Sequence, residues 1–509
     1  MGKIGCELEC ESVCVCGWVF HFSKNFANPR IYPWEATKPP QPTNLFVGVW
    51  EKNKPMPKFF KSLNPYTQEI VGEYMEASAI QIEVKLEWAE MAQRDWAARS
   101  FADRATCFEH LAQYLREHKA ELALLMTQEM GKILPEALGE IEKCAAQCSH
   151  YAQHAESLLQ AENIPTDARE SGVSYEPVGI VLAIMPWNFP FWQVFRYAVP
   201  ALMAGNVTML KHAPNVFGCA VAIETAFRAA GFPEGVFQIL IADVDAIQGL
   251  VADDRIGMIT LTGSERAGAS LAALAGSHIK KTVLELGGND ALIVLPDADL
   301  DKAAAAAVQS RMMNAGQVCI AAKRFLVHQD VKAAFTEKVL HLIQNLKQGD
   351  PLDPSTQLGP LARLDLAEAL ERQLQKALAH GATLLCGGQR KDCNFEPTLL
   401  DNVQPDSIAF KEETFGPLAA ITTFASEQEA IKLANQSRYG LSAAIWTQDL
   451  DKAKTLARQL EVGSVFVNAV VRSDSRLPIG GVKKSGYGRE LSEAGIKDFC
   501  VVKTHYING

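Results

Sequence analysis

The sequence predicts an α/β protein made of two Rossmann-like, doubly wound units in tandem. Three observations lead there. From residue 178 onward, apolar runs rich in β-branched residues alternate with helical segments. Continuous runs joined by helical crossovers are the pattern of strands covered on both faces of a parallel sheet. The alternation occurs twice, and 509 residues are too many for one ordinary core.

The elements follow in order. Residues 1–59 read as a poorly ordered or mis-started extension, with Cys6, Cys10, Cys14 and Cys16 ahead of a Pro- and aromatic-rich stretch. The spacing of these cysteines matches no standard zinc pattern, and Glu7, Glu9 and Glu11 spoil a signal-peptide reading. Met56 is a natural beginning. Helical periodicity is expected over 79–98, 102–130 and 134–158, and a polar connecting hairpin over 159–177. Strands are expected at 178–184, 207–211, 236–241, 258–262 and 282–284, separated by helices at 191–204, 215–230 and 264–275. The second unit places strands near 291–295, 324–328, 418–424, 441–447 and 463–467. The tail Phe499–Tyr506 reads as a strand without an obvious partner.

Composition narrows the function. A net charge of −10 argues against a broad nucleic-acid or anionic-membrane surface. No stretch approaches the roughly 20 apolar residues of a membrane span. The cysteines beyond the extension are scattered without C-x-x-C pairs, which suits reduced thiols and a cytoplasmic location. No metal site is expected.

Ligands of a parallel sheet bind at the carboxyl ends of its strands. The run Ile180–Pro186 ends in Trp187-Asn188-Phe189-Pro190, and the next strand ends at Lys211. A third ends in Thr262-Gly263-Ser264 and opens a helix containing Gly268; a fourth ends in Glu285-Leu286-Gly287-Gly288. Asn314-Ala315-Gly316-Gln317-Val318-Cys319 sits where a helix should end. Each piece has an ordinary structural reading beside a functional one. Gly263-Ser264 is either a plain N-cap or a phosphate seat at a helix N-terminus. Lys211 is a solvated strand end or a nucleotide-binding cation, and Glu285 a turn carboxylate or a base. Cys319 is an inert buried thiol or a nucleophile.

Together these segments resemble the aldehyde dehydrogenase superfamily over Asn64 to Tyr506. Cys319 follows Glu285 by 34 residues, as in that family, and Lys411–Pro417 and Gly480–Gly486 come later in the family's order. The Lys211–Asn215 segment and the Arg472–Arg476 loop are most similar to the bacterial NAD(P)-dependent succinate-semialdehyde branch.

The resemblance implies the aldehyde dehydrogenase fold and its roles. Cys319 would be the nucleophile and Asn188 the oxyanion-hole amide. Glu285 would be the base for thioester hydrolysis, with Glu490 relaying the proton. Pro186, Trp187, Lys211, Gly263, Ser264, Gly268, Leu286, Glu413 and Phe415 would form a pocket for NAD or NADP. Arg196, eight residues after Asn188, would hold a distal substrate carboxylate with Ser473 and Arg476. A second Arg common six residues before the nucleophile is Met313 here, and a Glu that repels a 2′-phosphate is Pro214. His212 either adds partial positive charge below its pKa or, more simply, packs.

The resemblance also divides the chain. Residues 60–158 and 178–284 would bind NAD(P), 285–484 would be catalytic, and 159–177 with 485–509 would form an oligomerisation segment of a homodimer or homotetramer. The tail would pair across the subunit interface with 159–177. The expected reaction is oxidation of a small-molecule aldehyde, foremost succinate semialdehyde, to the acid. Glutarate semialdehyde, another short aldehyde, or a structural protein reusing the fold are the alternatives.

Overall fold

A computed structural model describes residues 58–509 and, ahead of them, only a two-residue strand pair, Cys14–Val15 with Trp18–Val19. The side chains of the four early cysteines lie outside the described residues. The described chain from Pro57 onward is a single compact unit. A hairpin opens it, Phe59–Leu63 with Ile70–Met75, so regular structure begins one residue inside the expected extension.

Four helices follow: Ala79–Ala97, Phe101–Glu117, Lys119–Met130 and Leu134–Leu158. The sequence predicts one helix over 102–130, but His118 leaves helical geometry (φ −98°, ψ 11°) and stacks on Tyr114 at 4.1 Å, dividing it. Gly131 ends the third helix in the left-handed conformation, at φ 78°.

The first sheet has six strands in the order Gly486–Tyr487, Lys281–Glu285, Ile256–Thr262, Ile180–Met185, Val207–His212 and Phe237–Ile239. The last five are parallel, and Gly486–Tyr487 is antiparallel. The chain winds outward from Ile180–Met185 through two strands, then crosses back to Ile256–Thr262 on the other side. The reversal creates a switch point beyond Met185 and Thr262, where a crevice forms between the loops that leave these strands. The second sheet has seven strands, in the order Thr383–Cys386, Thr398–Asp401, Leu418–Phe424, Ala322–His328, Asp290–Val294, Ser442–Trp446 and Ser464–Val467. The Thr383–Cys386 edge and its neighbour Thr398–Asp401 escaped the sequence reading because each is only four residues long and offers little more than a Leu-Leu pair. Each sheet has its own hydrophobic core, and Ile320, beside Cys319, packs against both.

The tail departs from expectation. Cys500–Ile507 pairs antiparallel with Glu170–Pro177 of its own chain, from Cys500↔Pro177 to Ile507↔Glu170. Asn206 Nδ2 donates to the Phe499 carbonyl at 2.9 Å, pinning the turn that delivers the strand there. The expected cross-subunit pairing is therefore replaced by an intrachain one, and the tail forms the outer edge of a three-stranded sheet.

Candidate active site

Two cavities meet at Cys319, one of about 290 Å³ and one of about 400 Å³. The thiol's position is set by an unusual approach. Asn314, Ala315 and Gly316 all have left-handed backbone (φ 53°, 51° and 73°), which costs energy for non-glycine residues and persists only where neighbours enforce it. Glu136 accepts from the Asn314 N–H at 2.9 Å. Arg311, buried, donates through Nη2 to the carbonyls of Gly316 (2.7 Å), Thr414 (3.1 Å) and Gly416. Lys323 donates to the carbonyls of Val318 (2.8 Å) and Cys319 (2.6 Å). Burial pushes the Cys319 thiol up to about 11, although Arg196 and Lys323 pull the other way.

Asn188 follows the central strand and is buried. Its Nδ2 donates to the Gln317 carbonyl at 2.9 Å, and its own carbonyl accepts from Asn314 Nδ2 at 2.8 Å. An amide NH₂ has two donors, so one remains for another acceptor beside Cys319. The helix behind it, Trp192–Met203, is anchored by Glu140, whose Oε1 accepts from Phe191 N and Trp192 N, both at 2.9 Å.

Glu285 ends the strand Lys281–Glu285 and is buried, with neither carboxylate oxygen hydrogen-bonded. Loss of water raises it to about 8; Arg196 opposes that shift and Glu490 adds to it. Glu490 is buried, is also pushed up by burial, and accepts from Arg196 Nε. Arg196 Nη2 donates to Thr262 Oγ1 at 3.1 Å. Neither Glu285 nor Glu490 lines a cavity, whereas Arg196 lines the smaller one.

The larger cavity is bordered by Pro186, Trp187, Gly263, Ser264, Leu286, Glu413 and Phe415, seven of the nine residues expected to bind a cofactor. Ser264 caps the helix Glu265–Ser277, accepting from Ala267 N at 3.3 Å, and with Gly263 it brings that helix N-terminus to the cavity's border. Phe415 meets Trp187 edge-on at 5.8 Å. Glu413 is held by Gly288 N at 3.1 Å and by Lys323 at 3.4 Å. A carboxylate for a ribose, a helix N-terminus for a pyrophosphate and aromatic faces fit a dinucleotide. Lys211 and Gly268 are outside the lining. A Cβ on Gly268 would come within 2.5 Å of Leu286, so this glycine lets the helix sit against that loop. His212 is packed rather than cationic: its Nε2 donates to the Pro190 carbonyl at 2.9 Å, its Nδ1 accepts from Ala213 N at 2.9 Å, and burial lowers it to about 4.

The smaller cavity contains Arg196, Ser473 and Met313, but Arg476 is absent from its lining. Arg476 is exposed and turned onto Asp474 (2.7 and 2.8 Å), because Asp474 also accepts its backbone N–H and closes a tight turn. Sequence reasoning missed Lys143, whose Nζ donates to Ser473 Oγ at 2.6 Å and lies 4.0 Å from the Trp192 ring centre. Glu136, Gly139, Glu140 and Lys143 recur at helical spacing and share the cavity-facing side of Leu134–Leu158. That periodicity was available in the sequence; which side faced a cavity was not. Among the described residues, no three His, Cys, Asp or Glu side chains gather as a metal site, and no helix is long and apolar enough to cross a membrane.

The sequence profile of the Aldehyde dehydrogenase family matches residues 50–505. A succinate semialdehyde dehydrogenase (NAD(P)+) of Escherichia coli is 47% identical over 446 residues, 87% of this chain and 96% of that protein. A succinate-semialdehyde dehydrogenase (NADP(+)) of Mycobacterium tuberculosis is 43% identical over 454 residues, 88% of this chain and 99% of the relative. The crystal structure of succinic semialdehyde dehydrogenase from Streptococcus pyogenes, in complex with NADP+, superposes with a TM-score of 0.87 at 36% identity, covering 88% of this chain and 100% of that one.

Proposed function

This chain belongs to the aldehyde dehydrogenase family, and on that premise we propose that it oxidises succinate semialdehyde to succinate with NAD or NADP. The observation that carries the reading is that Cys319 stands where two cavities meet. One is furnished for a dinucleotide, and the other contains cationic side chains and a hydroxyl suited to a carboxylate-bearing aldehyde.

The chemistry needs a tetrahedral adduct first, because a planar carbonyl carbon has little hydridic character. Cys319, as thiolate, adds to the aldehyde carbon, and the free Asn188 N–H with the Cys319 backbone N–H receives the developing alkoxide. A nicotinamide cofactor, when bound, supplies the hydride acceptor. Cys319 then carries the acyl group as a thioester. Glu285 takes a proton from the attacking water after its side chain rotates toward Cys319, and Arg196 with Glu490 sets the charge around it. Pro186, Trp187, Gly263, Ser264, Leu286, Glu413 and Phe415 hold the cofactor, with Lys211 and Gly268 shaping its surroundings. Residues 60–158 and 178–284 form the cofactor-binding part and 285–484 the catalytic part. Residues 159–177 and 485–509 form an oligomerisation segment of a homodimer or homotetramer, a reading supported by the half-exposed Val501, Val502, Tyr506 and Ile507 on its edge strand.

The test is a panel of short aldehydes and semialdehydes with the purified full chain, followed at 340 nm with each cofactor. Succinate semialdehyde should give the highest kcat/KM. A higher value for glutarate semialdehyde or an uncharged aldehyde would overturn the substrate, and no absorbance change with any aldehyde would overturn the reaction.

A further inference from the structure

We propose that Lys143 is a further ligand for the substrate's distal carboxylate, standing beside Arg196 and Ser473 where Met313 replaces a second arginine. The proposal rests on the reading that the substrate is a semialdehyde acid.

Lys143 projects from the helix Leu134–Leu158 into the same cavity that Cys319 borders. Its ammonium forms no ion pair among the described residues; its hydrogen bond is to Ser473 Oγ, which leaves two ammonium protons. The Trp192 ring, 4.0 Å away, limits where the charge can sit. Burial lowers the ammonium to about 8, as expected of a cation lacking a counter-charge.

The carboxylates of the lining are engaged. Glu140 is bound to Lys132 and to two backbone N–H groups. Glu136 accepts from Asn314 and is raised to about 7 by burial. Arg196 directs Nε to Glu490 and Nη2 to Thr262, and keeps its Nη1 donors for the cavity it lines. Arg472 is exposed, so water screens its charge. Met313 is apolar and lines the cavity where the family commonly has an arginine. Lys143, half-buried, is thus a second cation of the cavity with donors to offer, beside Arg196, and Ser473 adds a hydroxyl that can turn from accepting to donating.

The experiment compares Lys143→Met, Lys143→Arg and the wild-type full chain on succinate semialdehyde and butanal, with succinate and butyrate as inhibitors. In Lys143→Met, the ratio of kcat/KM for succinate semialdehyde to that for butanal should fall roughly ten- to a hundredfold, mainly through KM, the cost of a lost charged hydrogen bond. Inhibition by succinate should weaken by a similar factor relative to butyrate, and Lys143→Arg should recover part of the ratio. An unchanged ratio in Lys143→Met, or an equal loss on both aldehydes, overturns the subsite. If Lys143→Met does not fold, Lys143→Gln carries the test, with a fall in the same ratio expected and an unchanged ratio overturning the proposal. A wild-type chain with no preference for succinate semialdehyde over butanal would overturn the function itself, a result distinct from a preference that survives Lys143→Met.

Discussion

Arg196 is joined through Nε to Glu490 in the interior, the two side chains being 3% and 0% exposed. Arg196 also bears on Glu285 and Cys319, holding both below where burial alone would put them, while Glu490 raises Glu285. The pair therefore sets the protonation of the two groups that must lose protons in the reaction.

Removing Glu490 tests that role. In Glu490→Gln the buried guanidinium loses its counter-charge and cannot shed its proton, so stability should fall by about 3–5 kcal/mol in denaturant unfolding. With a negative neighbour gone, Glu285 should titrate at lower pH, and the deacylation limb of the kcat profile should move to lower pH. A profile that stays in place would show that Glu490 is only structural.

Arg196→Met should impair butanal as well as succinate semialdehyde, because the guanidinium acts on Glu285 and Cys319 whatever the substrate. The sequence alone suggests a carboxylate clamp whose loss spares an uncharged aldehyde. The buried contacts with Glu490 and Thr262 add an effect that reaches both aldehydes. Kinetics on both aldehydes decide it: a loss confined to the semialdehyde would restore the clamp.

Glu285 gives a pH dependence with a definite sign. A carboxyl raised to about 8 is largely protonated at neutral pH and acts as a base only after losing its proton. Where deacylation limits turnover, kcat should rise as pH increases through about 8. In Glu285→Gln that rise should vanish, leaving a rapid pre-steady-state burst of NAD(P)H before slow turnover. A variant with no burst, and a pH profile like the wild type, would remove Glu285 from hydrolysis.

Asn188→Ala removes one donor from the alkoxide and should lower kcat by about 100- to 1000-fold. Because Asn188 also donates to the Gln317 carbonyl, circular dichroism and melting should accompany the kinetics. A fall under tenfold would mean that the backbone N–H suffices.

Both NAD and NADP should serve as cofactor, since Pro214 presents no carboxylate to repel a 2′-phosphate and Lys211 is nearby in the chain. His212 contributes nothing to that choice, being buried and neutral. A kcat/KM ratio beyond ~1000 in favour of NAD, about 4 kcal/mol, would require another group that excludes the phosphate.

Much of the fold was legible in the sequence because buried parallel strands such as Leu418–Phe424 are continuous apolar runs. The short edge Thr383–Cys386 offers only three apolar residues, and the break at His118 depends on local stacking that periodicity does not record. At the site, motif residues such as Ser264 and Glu413 fall at loop ends where one cleft collects them. Lys143, Arg311 and Lys323 carry no motif. Their importance comes from burial, and burial is a property of the folded chain. Arg476 illustrates the converse: an arginine in a suggestive loop, turned outward by the neighbouring Asp474.

The most direct test combines nucleophile and substrate in one observation. Glu285→Gln, mixed with succinate semialdehyde and NAD or NADP and quenched in acid, should carry one added succinyl group on the peptide containing Cys319, by mass spectrometry. An unmodified Cys319 peptide despite NAD(P)H formation, or a succinyl group on another cysteine, would contradict the account.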